Sequence, residues 1–276
     1  MLKPLSRAAA LLMMLTTSAG LAAAPASKPL APTGKWVVNF ADDQCLASRS
    51  YGTPGKPLYL ALKPSPLGEV MRITILQKGA VREPTQVPVV IRFDDHETIK
   101  SSMLAFASPK DGFRILSINL SADQFATMRQ AKLVSFRSPG EFDRSLALVQ
   151  MEPLMKAIDS CVTSLQKYWN ISDDETPLLR TRARTEKEIA TYLSDDDYPA
   201  VAVRNVNSGT VRIAMLIDEN GKVADCMTIA TSGVASLDAQ SCATIAKRAK
   251  FVPAIGADGK PAKDAILSSI RWLMPK

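Results

Sequence analysis

Short runs of alternating apolar and polar residues dominate the first half of the chain. Residues 36–40, 58–62, 70–76, 87–93 and 113–120 have the two-residue period of half-buried strands, and 133–136 and 144–149 add two more. Turn formers separate them: Gly52-Thr53-Pro54-Gly55, Pro64-Ser65-Pro66, Lys78-Gly79 and Asp111-Gly112. Ser121 stands where it would cap a short helix over 122–131. The period changes over 153–169, where Leu154, Ile158, Cys161, Val162 and Leu165 recur at helical spacing. The pattern predicts one β-rich domain over 33–171, a largely antiparallel sheet carrying a terminal helix, preceded by a Pro/Gly-containing tail over 27–35.

The pattern lapses over 172–193. Asp173-Asp174-Glu175 and then Arg180, Arg182 and Arg184 carry charge without an apolar stripe, which predicts a solvated linker with at most a short helix over 186–193. A second compact pattern occupies 194–276. Asp195-Asp196-Asp197 precede Tyr198-Pro199, and Pro199 opens a short helix with Asp197 or a neighbour as its cap. Val211, Ile213, Met215 and Ile217 make the apolar face of a strand. Asp218-Glu219-Asn220-Gly221 is a turn in which Asn-Gly supplies positive φ angles, and 223–230 returns as a second strand. A helix over 236–250 presents Cys242, Ile245, Ala246 and Ala249, and 265–273 is a last strand. If Cys226 faces that helix, alternation turns Met227 and Ile229 outward. Either a bulge then corrects the phase, or an apolar strip is left for a partner.

Composition adds bounds. A formal charge of +7 with scattered Lys and Arg, no basic run and no interleaved aromatics excludes a nucleic-acid binder. Lys3 and Arg7, an apolar run over 8–21 and small residues Ala22, Ala23, Ala24 and Ala26 predict a signal peptide over 1–24, cut after Ala23 or Ala26. A retained membrane anchor is the alternative, but the run is short for a span and is interrupted by Thr16, Thr17, Ser18 and Gly20. Export favours disulfides for the four cysteines, which lack any C-x-x-C spacing. Cys45, early in the sheet, and Cys161, on the terminal helix, would tie the first domain end to end, a closure worth about 4–5 kcal/mol in the chain-entropy model. Two unpaired thiols are the alternative. Cys226 and Cys242 would clip the second strand of the small module to its helix.

The chain carries little that points to catalysis. Its one histidine, His96 in Asp94-Asp95-His96-Glu97, reads as a surface-loop residue. There is no nucleophile elbow and no phosphate-binding Gly-rich loop. Asp42-Asp43 reads as solvated acids, and Trp36, Trp169 and Trp272 as packing residues. The expectation is a binding protein without metal or cofactor. An enzyme using the surface of the β-rich domain is the competing class.

Residues 198–261 contain Tyr198-Pro199, Gly209-Thr210-Val211, Asp218 with Gly221, Ser232-Gly233, Leu237-Asp238, Phe251 with Pro253-Ala254, and Gly259 with Pro261. In this order the set resembles the TonB C-terminal domain. The resemblance implies an α+β layout: after the β-rich domain, a small three-stranded antiparallel sheet with helices on one face. It implies a periplasmic location and capture of a short peptide by strand addition at the last strand. The residues concerned are Ile266, Leu267, Ser268, Ser269, Ile270, Arg271, Trp272 and Leu273, with Tyr198 nearby. The partner would be an envelope protein or peptide, an outer-membrane transporter among the candidates, with a homodimer as another arrangement. A membrane enters only if the amino-terminal segment is retained, which would make the chain an inner-membrane-anchored energy transducer for transport. That segment has no histidine, and a globular domain stands where such transducers carry a Pro-rich spacer. Asp195, Asp196 and Asp197 would favour a basic peptide.

Overall fold

A computed structural model describes residues 28–110, 112–171 and 179–275. The expected signal peptide lies outside these residues, as do positions 172–178 of the expected linker. Among the described residues the chain is mixed and rich in strands. The first part forms β1 (Val37–Phe40), β2 (Cys45–Thr53), β3 (Lys56–Pro64), β4 (Val70–Lys78), β5 (Thr85–Phe93), β6 (Ile99–Ala107) and β7 (Phe113–Ser121). Helix α1 (Ala122–Gln130), β8 (Leu133–Ser138), β9 (Phe142–Ala147) and α2 (Met151–Tyr168) follow. The second part holds β10 (Leu179–Thr181), β11 (Arg184–Thr185), α3 (Ala200–Arg204), β12 (Gly209–Ile217), β13 (Val223–Ala230) and α4 (Ala235–Arg248). It ends with β14 (Phe251–Val252), β15 (Ala254–Gly256), β16 (Pro261–Ala262) and β17 (Asp264–Trp272).

The first nine strands make one curled antiparallel sheet in the order β1-β2-β3-β4-β7-β6-β5-β8-β9. It closes on itself through a segment expected to be a tail. Leu30 pairs with Leu146 of β9, and Pro32 with Tyr51 of β2. Alternate residues of β2 to β9 fill the interior, among them Leu60, Leu62, Ile73, Ile75, Ile91, Met103, Leu116 and Phe136. Ser121 caps α1 as expected, in a reciprocal box with Gln124.

Two strands escape the sequence pattern. In β2 the inward positions are Cys45, Ala47, Arg49 and Tyr51, so a charge occupies a core position. Arg49 is satisfied by carbonyls: it donates to Gly34 O at 2.9 Å and to Val149 O at 2.6 Å, and its side-chain Nη2 reaches Gln150 Oε1. Tyr51 donates to Ala147 O at 3.0 Å, and burial pushes its hydroxyl up to about 12, so it remains a donor at any ordinary pH. In β6 only Met103 and Ala105 face inward with full burial, too few to mark a period.

Cys45 and Cys161 form a disulfide that ties β2 to α2, and Cys226 and Cys242 form one that ties β13 to α4. The segment expected to be a solvated linker is instead packed. Leu179, Ala183, Ile189, Tyr192 and Leu193 join the second core, β10 pairs with β15 and β11 with β14. Asp197, expected as a helix cap, is instead buried, its carboxylate accepting from Arg248 and from Ser194 N, and α3 starts from Pro199.

Candidate functional site

The small sheet has the order β13-β12-β17, so β12 is central and each outer strand carries one unpaired edge. Helix α4 covers one face. Val211, Ile213, Met215 and Ile217 of β12 and Ile270 and Trp272 of β17 meet Leu237 and Ile245 there. Trp272 donates from Nε1 to Ser241 Oγ at 2.9 Å and meets Tyr198 edge to face at 5.4 Å. Tyr198 is itself buried, its hydroxyl spent on Asn207 O. It supports β17 from the interior and does not lie on the open edge.

The opposite face of the sheet is covered by the first domain. Ala214, Met227 and Ile229 pack on Leu67 and Val70, while Leu216 and Ala265 meet Leu165 and Trp169 beside the Cys45–Cys161 bridge. Met227 and Ile229 do turn away from α4, and the apolar strip they form is sealed within the chain. Polar contacts fix the docking. Both oxygens of Asp225 take Lys63 Nζ at 2.9 Å, Asn170 Nδ2 donates to Lys263 O, and Arg204 pairs with Glu83.

These contacts make the two edges unequal. On β13 the carbonyl of Thr228 accepts from Arg72 Nη2 at 3.0 Å and from Asn119 Nδ2 at 2.6 Å, two side chains that face each other across β4 and β7. That edge is blocked by the first domain. On β17 the outward backbone groups are taken at the beginning of the strand alone, among the described residues. The carboxylate of Asp264, fully buried, accepts from Arg182 Nε and from the backbone N–H groups of Ala183 and Ala265, and Arg182 Nη2 caps Ala265 O at 2.7 Å.

Ala265 thus has both backbone groups bonded away from β12, so it belongs to the outward-facing set of an antiparallel pair. The same alternation turns the N–H and C=O groups of Leu267, Ser269 and Arg271 outward. Among the described residues these groups have no partner. The side chains of Leu267, Ser269 and Arg271 are exposed, whereas Ile266 and Ser268 are half-buried and Ile270 and Trp272 are buried. Leu273 follows the strand and is exposed. The residues expected to bind a partner therefore divide by parity: three offer backbone groups, and their neighbours anchor the strand.

Other family-like positions act on the fold. Asp238 is buried at the start of α4. Its Oδ1 accepts from Ser232 N and Ser232 Oγ, both at 2.8 Å, and its Oδ2 accepts from Thr231 Oγ1. It pins the Ser232-Gly233 bend between β13 and α4. His96 is exposed in the turn between β5 and β6. No helix among the described residues is long and apolar enough to cross a membrane.

The blocking of the β13 edge left no signal in the sequence, because it depends on Arg72 and Asn119 from strands far away in the chain. The Arg182 clamp was equally hidden inside an apparently solvated charge run. Residues 195–273 match the family described as Gram-negative bacterial TonB protein C-terminal. No curated protein and no solved structure matches the chain.

Proposed function

We propose that this chain, whose residues 195–273 form a TonB C-terminal-type domain, is a periplasmic binding protein that captures an extended envelope peptide along β17. One observation carries the reading: of the two edges of the small sheet, one is sealed by the first domain and the other presents unpartnered backbone groups on Leu267, Ser269 and Arg271. An exposed edge recognises an extended chain through main-chain bonds, with little demand on its side chains. The free stretch from Ile266 to Trp272 is long enough for a peptide of about five to seven residues. No catalytic step enters this reading.

Membrane-anchored energy transduction is the weaker reading. It needs reach, and the packing of residues 179–193 onto the second core removes most of the expected linker as a spacer.

The test is a titration with synthetic peptides from the extended amino-terminal segments of outer-membrane transporters. Ser269→Pro deletes an outward N–H while leaving the pairing with β12 intact, and proline is tolerated at such edge positions. It should keep the fold and lose binding by about tenfold or more. Ile270→Pro is a poorer probe, because Ile270 is buried and its N–H belongs to the ladder with β12. No binding by any peptide, or undiminished binding by folded Ser269→Pro, would sink the reading.

A further inference from the structure

At one end of the curled sheet the apolar interior gives way to cations. On β3 the inward series Leu62, Leu60, Leu58 leads to Lys56 at the strand end. On β4 the series Met71, Ile73, Ile75 leads to Gln77, which is buried. On β9 Arg144 shares the strand face of Phe142 and Leu146. Lys56, Gln77 and Arg144, together with Lys28 and Lys78, line a mouth of about 590 Å³, within the usual range of small-ligand sites. Leu30, Pro57 and Leu58 supply its apolar wall.

The charge around this mouth is one-sided. Four of its lining residues, Lys28, Lys56, Lys78 and Arg144, are cationic and no carboxylate lines it. None of the four takes part in an ion pair among the described residues. The acids nearest Arg144 in sequence are already engaged, Glu141 by Arg114 and Asp143 by Arg137. The hairpin that presents Lys56 is tightly built. Gly52 has φ +83°, and a Cβ there would lie 2.4 Å from Lys56 O, so the backbone closes directly onto the residue that carries the charge. Cations gathered at one opening without counter-charge repel one another, and an anion seated among them relieves that repulsion.

We propose that this mouth binds a phosphate ester, with the phosphate among Lys28, Lys56, Lys78 and Arg144 and the adjoining carbons against Leu30, Pro57 and Leu58. A phosphate monoester carries a charge of about −1.5 to −2 and several strong acceptor oxygens, which suits four cations around one opening better than a single carboxylate does. The ester is the headgroup of a membrane lipid or a water-soluble phosphate compound. The site stands on the first domain and does not depend on peptide capture at β17.

The test uses the full chain and calorimetric titration with two probes: short-chain dihexanoyl phosphatidate and glycerol 3-phosphate. Lys56→Gln/Arg144→Gln removes two charges from exposed positions and should raise Kd at least about tenfold. Lys247→Gln/Lys250→Gln removes the same charge from the other domain and should change Kd by less than about twofold. Should the first double variant melt early, Lys78→Gln on the rim serves in its place. Binding of both probes assigns a soluble ester. Binding of phosphatidate alone, with flotation on vesicles containing phosphatidate but not on pure phosphatidylcholine vesicles, assigns a lipid headgroup. Absence of binding by either probe, or equal weakening by the two double variants, overturns the proposal.

Discussion

At the scale of single residues, two positions show how local chemistry fixes the second domain. Gly221 closes the β12–β13 turn with φ +71°, and a Cβ there would lie 1.9 Å from Phe251 O. The turn does not use positive φ at Asn220, as the Asn-Gly pair suggests. Asp218 Oδ1 instead accepts from the N–H groups of Asn220 and Lys222, and Gly221 alone takes the left-handed conformation. Gly221→Ala should lower stability by about 2–4 kcal/mol through backbone strain and steric conflict together, readable as a shift in the urea midpoint. Asp197 is the second position. The Arg248 guanidinium at 2.6 Å, helped by Ser194, holds its carboxyl below the usual carboxylate range. A depressed folded-state value means that its contribution is complete above the unfolded value of about 4 and is lost as pH falls through the folded value. Urea midpoints measured from pH 7 to pH 2 should show a steeper acid loss in the native protein than in Asp197→Asn. Parallel curves would remove Asp197 from the acid response.

At the scale of elements, parity decides what each strand does. Along β17 the odd positions Leu267, Ser269 and Arg271 turn their backbone outward, while Ile270 and Trp272 lock the strand to β12 and α4. That is why Ser269→Pro and Ile270→Pro are expected to differ: the first should weaken binding by about tenfold or more in a folded protein, the second should disrupt the sheet. Most elements were legible from period alone. The helices α1, α2 and α4 and strands β12, β13 and β17 lie within a few residues of their expected bounds, α1 marked by its cap Ser121 and the others by apolar residues at a fixed period. Strands β2 and β6 were not legible, because Arg49 sits inward on one and Met103 and Ala105 alone are buried on the other.

At the scale of the whole molecule, the first domain sets which edge of the small sheet is available. Met227 is buried between the domains, and Arg72, Asn119 and Lys63 hold β13 from outside. Met227→Glu places an unpaired charge in that contact, which favours separation of the domains over burial. The native protein should then melt in one calorimetric transition and Met227→Glu in two. Separation also frees the β13 edge, so the variant should self-associate with rising concentration in sedimentation experiments. A single transition at an unchanged midpoint would mean that the interface does not couple the domains.

The sequence by itself determined the strand and helix periods, both cysteine pairings as expectations, and the family-like pattern over the last eighty or so residues. The periods and the pattern depend on neighbours close in the chain, where spacing alone fixes which side chains share a face; the Cys45–Cys161 pairing, 116 positions apart, followed instead from the cysteine count and the expected oxidising compartment. Only the tertiary structure decided that 30–32 closes the curled sheet, that 179–193 is packed, and that one edge of the small sheet is sealed while the other is open. Each of those outcomes joins residues up to about 160 positions apart, as Lys63 and Asp225 are. Hydrogen-bond partners at such separations leave no periodic trace, because one well-placed Arg or Asn is enough to satisfy a carbonyl.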